Sequence, residues 1–189
     1  MFNLLYKGGT SLKIQLRSYQ PNDLNSLVIL ANNPNIQANL NDSFPYPYTY
    51  QDAYNCLKLT NNTNLPIIEL AIIYNQQFCG AISLTFGQDI YSHIGEIGYW
   101  IGQPYWNKGI ATKALQMMID NIFKNYDLKI IVARVFSNNL ASKKVLTKNH
   151  FKHLITLNNY AFKRGNFLDV DLFELTIDQY QLSLKNNRI

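Results

Sequence analysis

Charge is sparse in this chain of 189 residues: 15% of them are Asp, Glu, Lys or Arg, against 47% apolar. That balance excludes an intrinsically disordered chain. Cysteine is sparser still, with only Cys56 and Cys79, too few to staple a chain of this size. Both fall in apolar patterns, so they read as small buried hydrophobes, and the expected compartment is reducing and cytoplasmic. Histidine is limited to His93, His150 and His153. No carboxylate or cysteine lies at metal-ligand spacing from them, so no metal is expected. No apolar run approaches the roughly 20 residues that a membrane helix needs. Met1 to Thr10 holds one Lys and no long apolar core, so no signal peptide is expected. There is no internal repeat and no linker, and the length suits one domain with one core over residues 1–189.

Charge is also uneven. The net charge is −2 from Met1 to Asn107, +9 from Lys108 to Arg164, and −2 from Gly165 to Ile189. The middle segment is where an anionic partner should bind, either nucleic acid or a phosphorylated cofactor; a solvated basic face is the plainer reading.

Periodicity supplies the elements. Lys13 to Arg17 alternates as a first strand, and Leu24, Leu27, Val28 and Ala31 recur at helical spacing until Asn32-Asn33-Pro34. Phe44-Pro45-Tyr46-Pro47-Tyr48 lies in a loop that either lines a substrate site or simply packs on the surface. Tyr50 to Leu59 reads as a helix with Ala53, Cys56 and Leu57 inward, and Asn61 to Asn64 as a polar turn. Ile67 to Tyr74 and Phe78 to Phe86 read as strands joined by a tight Asn75-Gln76 hairpin. A strand follows from Ile94 to Ile101, where Gly95 and Gly98 suggest a bulge or a close backbone approach. The stripe Ile110, Ala111, Ala114, Leu115, Met118, Ile119 and Ile122 marks a helix beginning near Lys108. Lys129 to Phe136 is a strand, Asn138 or Asn139 caps a helix ending near Asn149, and Phe151 to Leu157 and Phe167 to Thr176 are the last strands. From Asp178 onward the tail is amphipathic at best. The fold class expected is α/β (α+β), with a mixed, largely antiparallel sheet and helices on both faces.

The most informative stretch is Gly95-Glu96-Ile97-Gly98-Tyr99-Trp100-Ile101, followed by Tyr105-Trp106-Asn107-Lys108-Gly109-Ile110-Ala111-Thr112. Free N–H groups at a helix start bind anions, Gly109 and Ala111 let oxygens approach the backbone, Lys108 adds charge, and Asn107 tolerates a left-handed conformation. This is a phosphate-type loop, or else an ordinary strand-to-helix turn. Neither a P-loop nor a Gly-x-Gly-x-x-Gly fingerprint is present, which argues against P-loop enzymes and Rossmann dehydrogenases.

This stretch resembles the acetyl-CoA motif of the GNAT superfamily, Arg/Gln-x-x-Gly-x-Gly/Ala, with Trp106, Gly109 and Ala111 at its first, fourth and sixth positions. The aromatic first position is similar to the branch around the RimJ/RimL-type N-terminal acetyltransferases. Leu16-Arg17 with Asp23 and Leu27, Phe44 to Thr49 with Asp52-Ala53, and Asn138-x-x-x-Ser142-x-x-Val145-Leu146-x-Lys148-x-x-Phe151 resemble three further segments of that branch. Together they cover roughly Ile14 to Leu175. His150 stands where the family has a Gly before the Phe.

The resemblance implies a V-shaped split between two central strands, those of Ile94 to Ile101 and Lys129 to Phe136, with acetyl-CoA as cosubstrate and no metal. It implies a pantetheine arm pairing near Tyr99, Trp100 and Ile101, and a pyrophosphate on amides of Lys108, Gly109, Ile110, Ala111 and Thr112, with Asn107 shaping the turn. The basic segment then places Lys108, Lys113, Lys143, Lys144 and Lys148 beside the cofactor. Direct attack of an amine on the thioester calls for a base, and Glu96, alone among apolar neighbours that would raise its pKa, is the candidate. Its other readings are an anchor for the substrate amine or a strand carboxylate paired with a Lys. Where many relatives carry a Tyr this chain has Leu146, so Ser142 or solvent would protonate the leaving thiolate. Asn138 would bond the pantetheine, cap a helix, or both. The acceptor implied is a protein or peptide N-terminal α-amine; the alternatives are a polyamine or aminoglycoside-like amine, or a non-catalytic acetyl-CoA-binding module. No nucleic-acid or membrane partner is expected, and the chain is read as a monomer or homodimer.

Overall fold

The structure, a computed structural model, describes residues 3–5, 13–60 and 67–186. In chain order its elements are β1 (Asn3–Leu5), β2 (Ile14–Arg17), α1 (Leu24–Ala31), α2 (Pro34–Gln37), α3 (Tyr50–Thr60), β3 (Ile67–Tyr74), β4 (Gln77–Phe86), β5 (Ile94–Ile101), α4 (Ile110–Asn125), β6 (Ile130–Phe136), α5 (Leu140–Lys148), β7 (Lys152–Lys163), β8 (Asn166–Thr176) and α6 (Ile177–Asn186). The strand order is β1-β2-β3-β4-β5-β6-β8-β7. β5 and β6 run parallel, whereas β1–β2, β2–β3, β6–β8 and β7–β8 run antiparallel. This is the mixed, largely antiparallel α/β sheet expected from the sequence. The Asn61 to Asn64 turn lies outside the described residues.

The chain forms two compact units. The first comprises Met1–Leu84 and Tyr99–Met118. In it, Ile14 and Leu16 of β2 are buried on one face, as alternation requires. Asp23 ties the entry to α1: its carboxylate takes both guanidinium nitrogens of Arg17, at 2.6 and 2.8 Å, and the Gln20 amide at 2.8 Å. Asn75 and Gln76 turn β3 into β4 with φ of 48° and 68°, the left-handed pair that a two-residue hairpin needs. Thr49 and Asp52 exchange backbone and side-chain bonds at the start of α3. Tyr19, Leu24, Leu27, Ala31, Tyr48 and Phe78 belong to one buried cluster, against which Phe44, Cys56, Leu57 and Trp100 pack.

The second unit comprises Thr85–Gly98 and Ile119–Ile189. Ile131, Ala133 and Val135 of β6 are buried, with Val170, Phe173 and Leu175 of β8, while Arg134 faces out. The β5–β6 ladder joins Ile94 to Ile130, Gly95 to Ile131 and Glu96 to Val132 and extends no further. Its register is continuous across Gly95, and register shifts fall in β7, between His153 and Ile155 and between Leu157 and Ala161. β7 runs six residues past the expected Leu157, because this exposed edge strand has no buried face to give a period-two signal. The tail expected to be amphipathic at best from Asp178 onward forms α6. A Thr176–Gln179 capping exchange starts it, and Tyr180 anchors it, its hydroxyl donating to Asp120 at 2.8 Å and its ring lying 5.1 Å from that of Phe123.

Candidate active site

In the first unit, β5 ends at Ile101 and the chain turns a corner before α4. Gly102 N–H donates to Cys79 O at 2.8 Å, and a Cβ on Gly80 would stand 2.2 Å from Trp100 O, so β4 tolerates only glycine beside this strand end. The indole of Trp106 donates to Ile101 O at 2.6 Å and closes the corner. The departure from the family's Arg/Gln at that position is therefore structural: the ring fixes the loop. Asn107 and Gly109 have φ of 59° and 73°, so the left-handed turn expected at Asn107 is present twice. The first bond of the helix ladder runs from Lys113 N–H to Gly109 O at 3.1 Å. The amides from Lys108 to Ala111 thus precede the ladder of a 16-residue helix, where the backbone dipoles favour an anion. Lys108, at the turn, reaches over the Tyr105 ring, 5.4 Å from its centroid.

Gly109 at this φ invites a direct test. Gly109→Val puts a β-branched residue in the left-handed region, which costs about 1–2 kcal/mol, and also crowds the amides. Gly109→Asn is at home at that φ but still adds bulk. Expected results are a lowered melting temperature for Val only, and an acetyl-CoA dissociation constant raised about tenfold or more for both. Normal binding by the Asn variant would make the glycine purely conformational.

In the second unit, Glu96 stands on β5 opposite Val132, so Arg134, two residues along β6, lies diagonally across the same face. Its guanidinium donates to Glu96 Oε2 at 2.6 Å, with side-chain exposures of 52% and 38%. This corrects the expected apolar enclosure of Glu96, which is a half-exposed carboxylate with a charged partner. The signal for it was present as a lone arginine in an apolar strand beside a lone glutamate.

The corner between β6 and α5 is held from β8. Asp171, 3% exposed at its side chain, accepts from Ser137 Oγ at 2.9 Å, Thr156 Oγ1 at 2.6 Å and Lys143 Nζ at 2.5 Å, while Lys143 also donates to Ser137 O at 2.8 Å. Burial would raise the Asp171 carboxyl, but these donors outweigh it and hold it far below the usual carboxylate range. Lys143 is thereby removed from the set of lysines expected beside a cofactor: it neutralises a buried aspartate. Asn139, not Asn138, caps α5, accepting from the Ser142 amide at 3.1 Å. Asn138 is left exposed at the corner, with Ser142 half-buried one turn on. Leu146 is fully buried and serves packing alone. His150 keeps the backbone of the glycine it replaces, with φ of 66°. Among the described residues no cluster suited to a metal occurs.

A left-handed corner presenting amides ahead of a long helix suits the phosphates of a phosphorylated cofactor. The chain belongs to the acetyltransferase (GNAT) domain family, which it matches over residues 13–152. It is 36% identical over 85 residues to the uncharacterized N-acetyltransferase p20 of Bacillus licheniformis, 45% of this chain and 48% of that one. It is 30% identical over 107 residues to the ribosomal-protein-serine acetyltransferase of Escherichia coli (strain K12), 57% of this chain and 59% of that one. The chain thus spans about half the length of the curated relatives it matches. Among solved structures it resembles RimL, a ribosomal L7/L12 alpha-N-protein acetyltransferase in complex with coenzyme A, with TM-score 0.77 and 21% identity over 88% of this chain and 95% of that one. It also resembles a spermidine N-acetyltransferase from Vibrio cholerae in complex with CoA and spermine, with TM-score 0.75 and 20% identity over 89% and 98%. These likenesses are of fold.

Proposed function

We propose that this chain moves the acetyl group of acetyl-CoA onto a primary amine, the N-terminal α-amine of a protein or peptide. The observation that carries the reading is the corner from Trp106 to Ala111, where two left-handed residues precede the amides that lead into α4. The acceptor class is supported by the Escherichia coli relative, whose name specifies a ribosomal-protein serine. The spermine-bound Vibrio cholerae structure favours a second reading, a polyamine acceptor.

In this reading the amides of Lys108, Gly109, Ile110, Ala111 and Thr112 hold the pyrophosphate, with Lys108 adding charge. Ile101 O already accepts from Trp106, so the backbone of Tyr99 and Trp100 carries most of the pantetheine arm. When bound, acetyl-CoA supplies an activated thioester and a good leaving thiolate. Glu96 takes the proton of the attacking amine through Oε1, which accepts from no described residue, while Arg134 holds Oε2. Asn138 bonds the arm, and Ser142 or solvent protonates the thiolate. A reducing, cytoplasmic setting suits Cys56 and Cys79, whose thiols burial pushes up to about 12, leaving them unreactive near neutrality.

Calorimetry should give one acetyl-CoA per chain, with affinity falling as salt screens the basic corner. Acetyl transfer to a panel of peptides, polyamines and aminoglycosides then assigns the acceptor. Absence of acetyl-CoA binding at low ionic strength would overturn the reading.

A further inference from the structure

Glu69 is a carboxylate without a cation. It lies on β3 beside the buried cluster of the first unit, where burial pushes its carboxyl up, against the pull of bonds from Tyr19 and Cys56. Asp23, Glu96, Asp127 and Asp171 each have a lysine or arginine partner, and Glu69 has none among the described residues. Only one of its oxygens is engaged. Oε1 accepts from Tyr19 OH at 2.9 Å and lies 3.9 Å from Cys56 Sγ, while no described residue donates to Oε2. Nor is Oε2 sealed away, since the only buried side-chain polar atom left unpartnered among the described residues is Asn121 Nδ2. A desolvated carboxylate is costly unless a donor meets it, and a charged donor meets it best.

Tyr19, which bonds Glu69, belongs to a cluster rich in aromatic rings. Tyr19 and Tyr48 are buried in the cluster, and Phe44 and Trp100 pack against it. Phe44 lies 4.9 Å from Tyr48 and 5.8 Å from Trp100 between ring centroids. Tyr48 is held in place by Asn32, which takes its amide at 2.8 Å and donates to its carbonyl. A half-bonded carboxylate among fixed aromatic faces is a receptor for an organic ammonium: the carboxylate takes an N–H, and the rings take the cation and its alkyl chain.

We infer that Glu69, with Tyr19, Tyr48, Phe44 and Trp100, binds the ammonium group by which the acceptor is recognised. The inference rests on the acetyltransferase reading, which gives the backbone of Trp100 to the cofactor arm; the ring of that residue belongs to the Glu69 cluster. Glu69 is a specificity residue here. Glu96 remains the base, and its Oε2 is already occupied by Arg134.

Two measurements on the full chain test this. Acetyl transfer to the best acceptor of the panel is compared in wild type, Glu69→Gln and Glu69→Asp. Gln should raise the amine's KM about tenfold to a hundredfold, the usual worth of a charge-assisted bond. Its turnover at saturation and acetyl-CoA affinity should stay within a few-fold, and Asp should fall between Gln and wild type. Separately, n-butylammonium and n-butanol are titrated against the tryptophan fluorescence of the acetyl-CoA-free chain. The ammonium should bind wild type and not Glu69→Gln, and the alcohol should bind neither. An unchanged amine KM in Glu69→Gln, or equal binding of n-butylammonium by both chains, overturns the assignment while leaving the transferase reading intact. Transfer to no amine, with n-butylammonium still bound through Glu69, overturns the transferase reading and keeps the ammonium site. Should the Gln chain fail to fold, the Asp chain carries both comparisons, since shortening the side chain withdraws the carboxylate and keeps its charge.

Discussion

Glu96→Gln should lower turnover by about 10²–10⁴, the usual worth of a general base, and leave the melting temperature nearly unchanged. The two expectations have different physical origins. The substitution keeps shape and hydrogen bonding but removes proton acceptance, so the loss belongs to the chemical step. The ion pair that it breaks with Arg134 is half exposed on both sides, and such pairs are worth about 1 kcal/mol or less. Acetyl-CoA affinity should hold, because the amides proposed to bind it lie beyond Gly98. A loss confined to the amine's Michaelis constant would make Glu96 an anchor. Arg134→Gln separates the roles: it frees the carboxylate without removing it, so turnover should persist if Glu96 itself accepts the proton. Steady-state kinetics of both variants, with calorimetry for acetyl-CoA, decides among these outcomes.

Asp171→Ala should be the most destabilising of the substitutions considered. Removing one partner of a buried pair leaves the other uncompensated, at a cost of about 3 kcal/mol, or a fall of roughly 6–12 °C in a chain of this size. The loss should reach the cofactor as well. Ser137 and Lys143 are both held by Asp171, and they flank the corner that carries Asn138 and Ser142, so the apparent acetyl-CoA constant should rise about tenfold. The pH dependence has a definite sign. The native Asp171 carboxyl is held below its unfolded value, so its contribution is complete above about pH 4 and is lost as pH falls toward the native value. Wild type should therefore lose stability below about pH 4 more steeply than Asp171→Asn. Thermal melts from pH 7 to pH 2 measure the difference; parallel curves would show that the carboxylate is not the acid-sensitive group.

Most of the fold was legible wherever burial imposes a period. β5 spans the expected Ile94 to Ile101, and the buried stripe of α4 follows the predicted residues, with Ala111 alone half-exposed. Elements held by tertiary contact or by edge pairing were not legible: α6 depends on Tyr180 meeting Asp120, and β7 on pairing with β8. The candidate site divides in the same way. The Asn107–Gly109 turn could be read because only certain residues tolerate positive φ. The partners of Glu96, Lys143 and Glu69 could not, because they lie 38, 28 and 50 residues away along the chain, and no local pattern encodes such a distance.

The interleaving of the two units has a consequence for synthesis. The first unit is closed only by Tyr99–Met118, and the second begins at Thr85, before the first is complete. A ribosome must therefore release the first part of α4, up to Met118, before the first unit has all of its segments. No single cut leaves both units whole, because a cut before Tyr99 takes Tyr99–Met118 from the first unit and a cut after Gly98 takes Thr85–Gly98 from the second, so the two cannot be produced as separate, complete pieces of the chain.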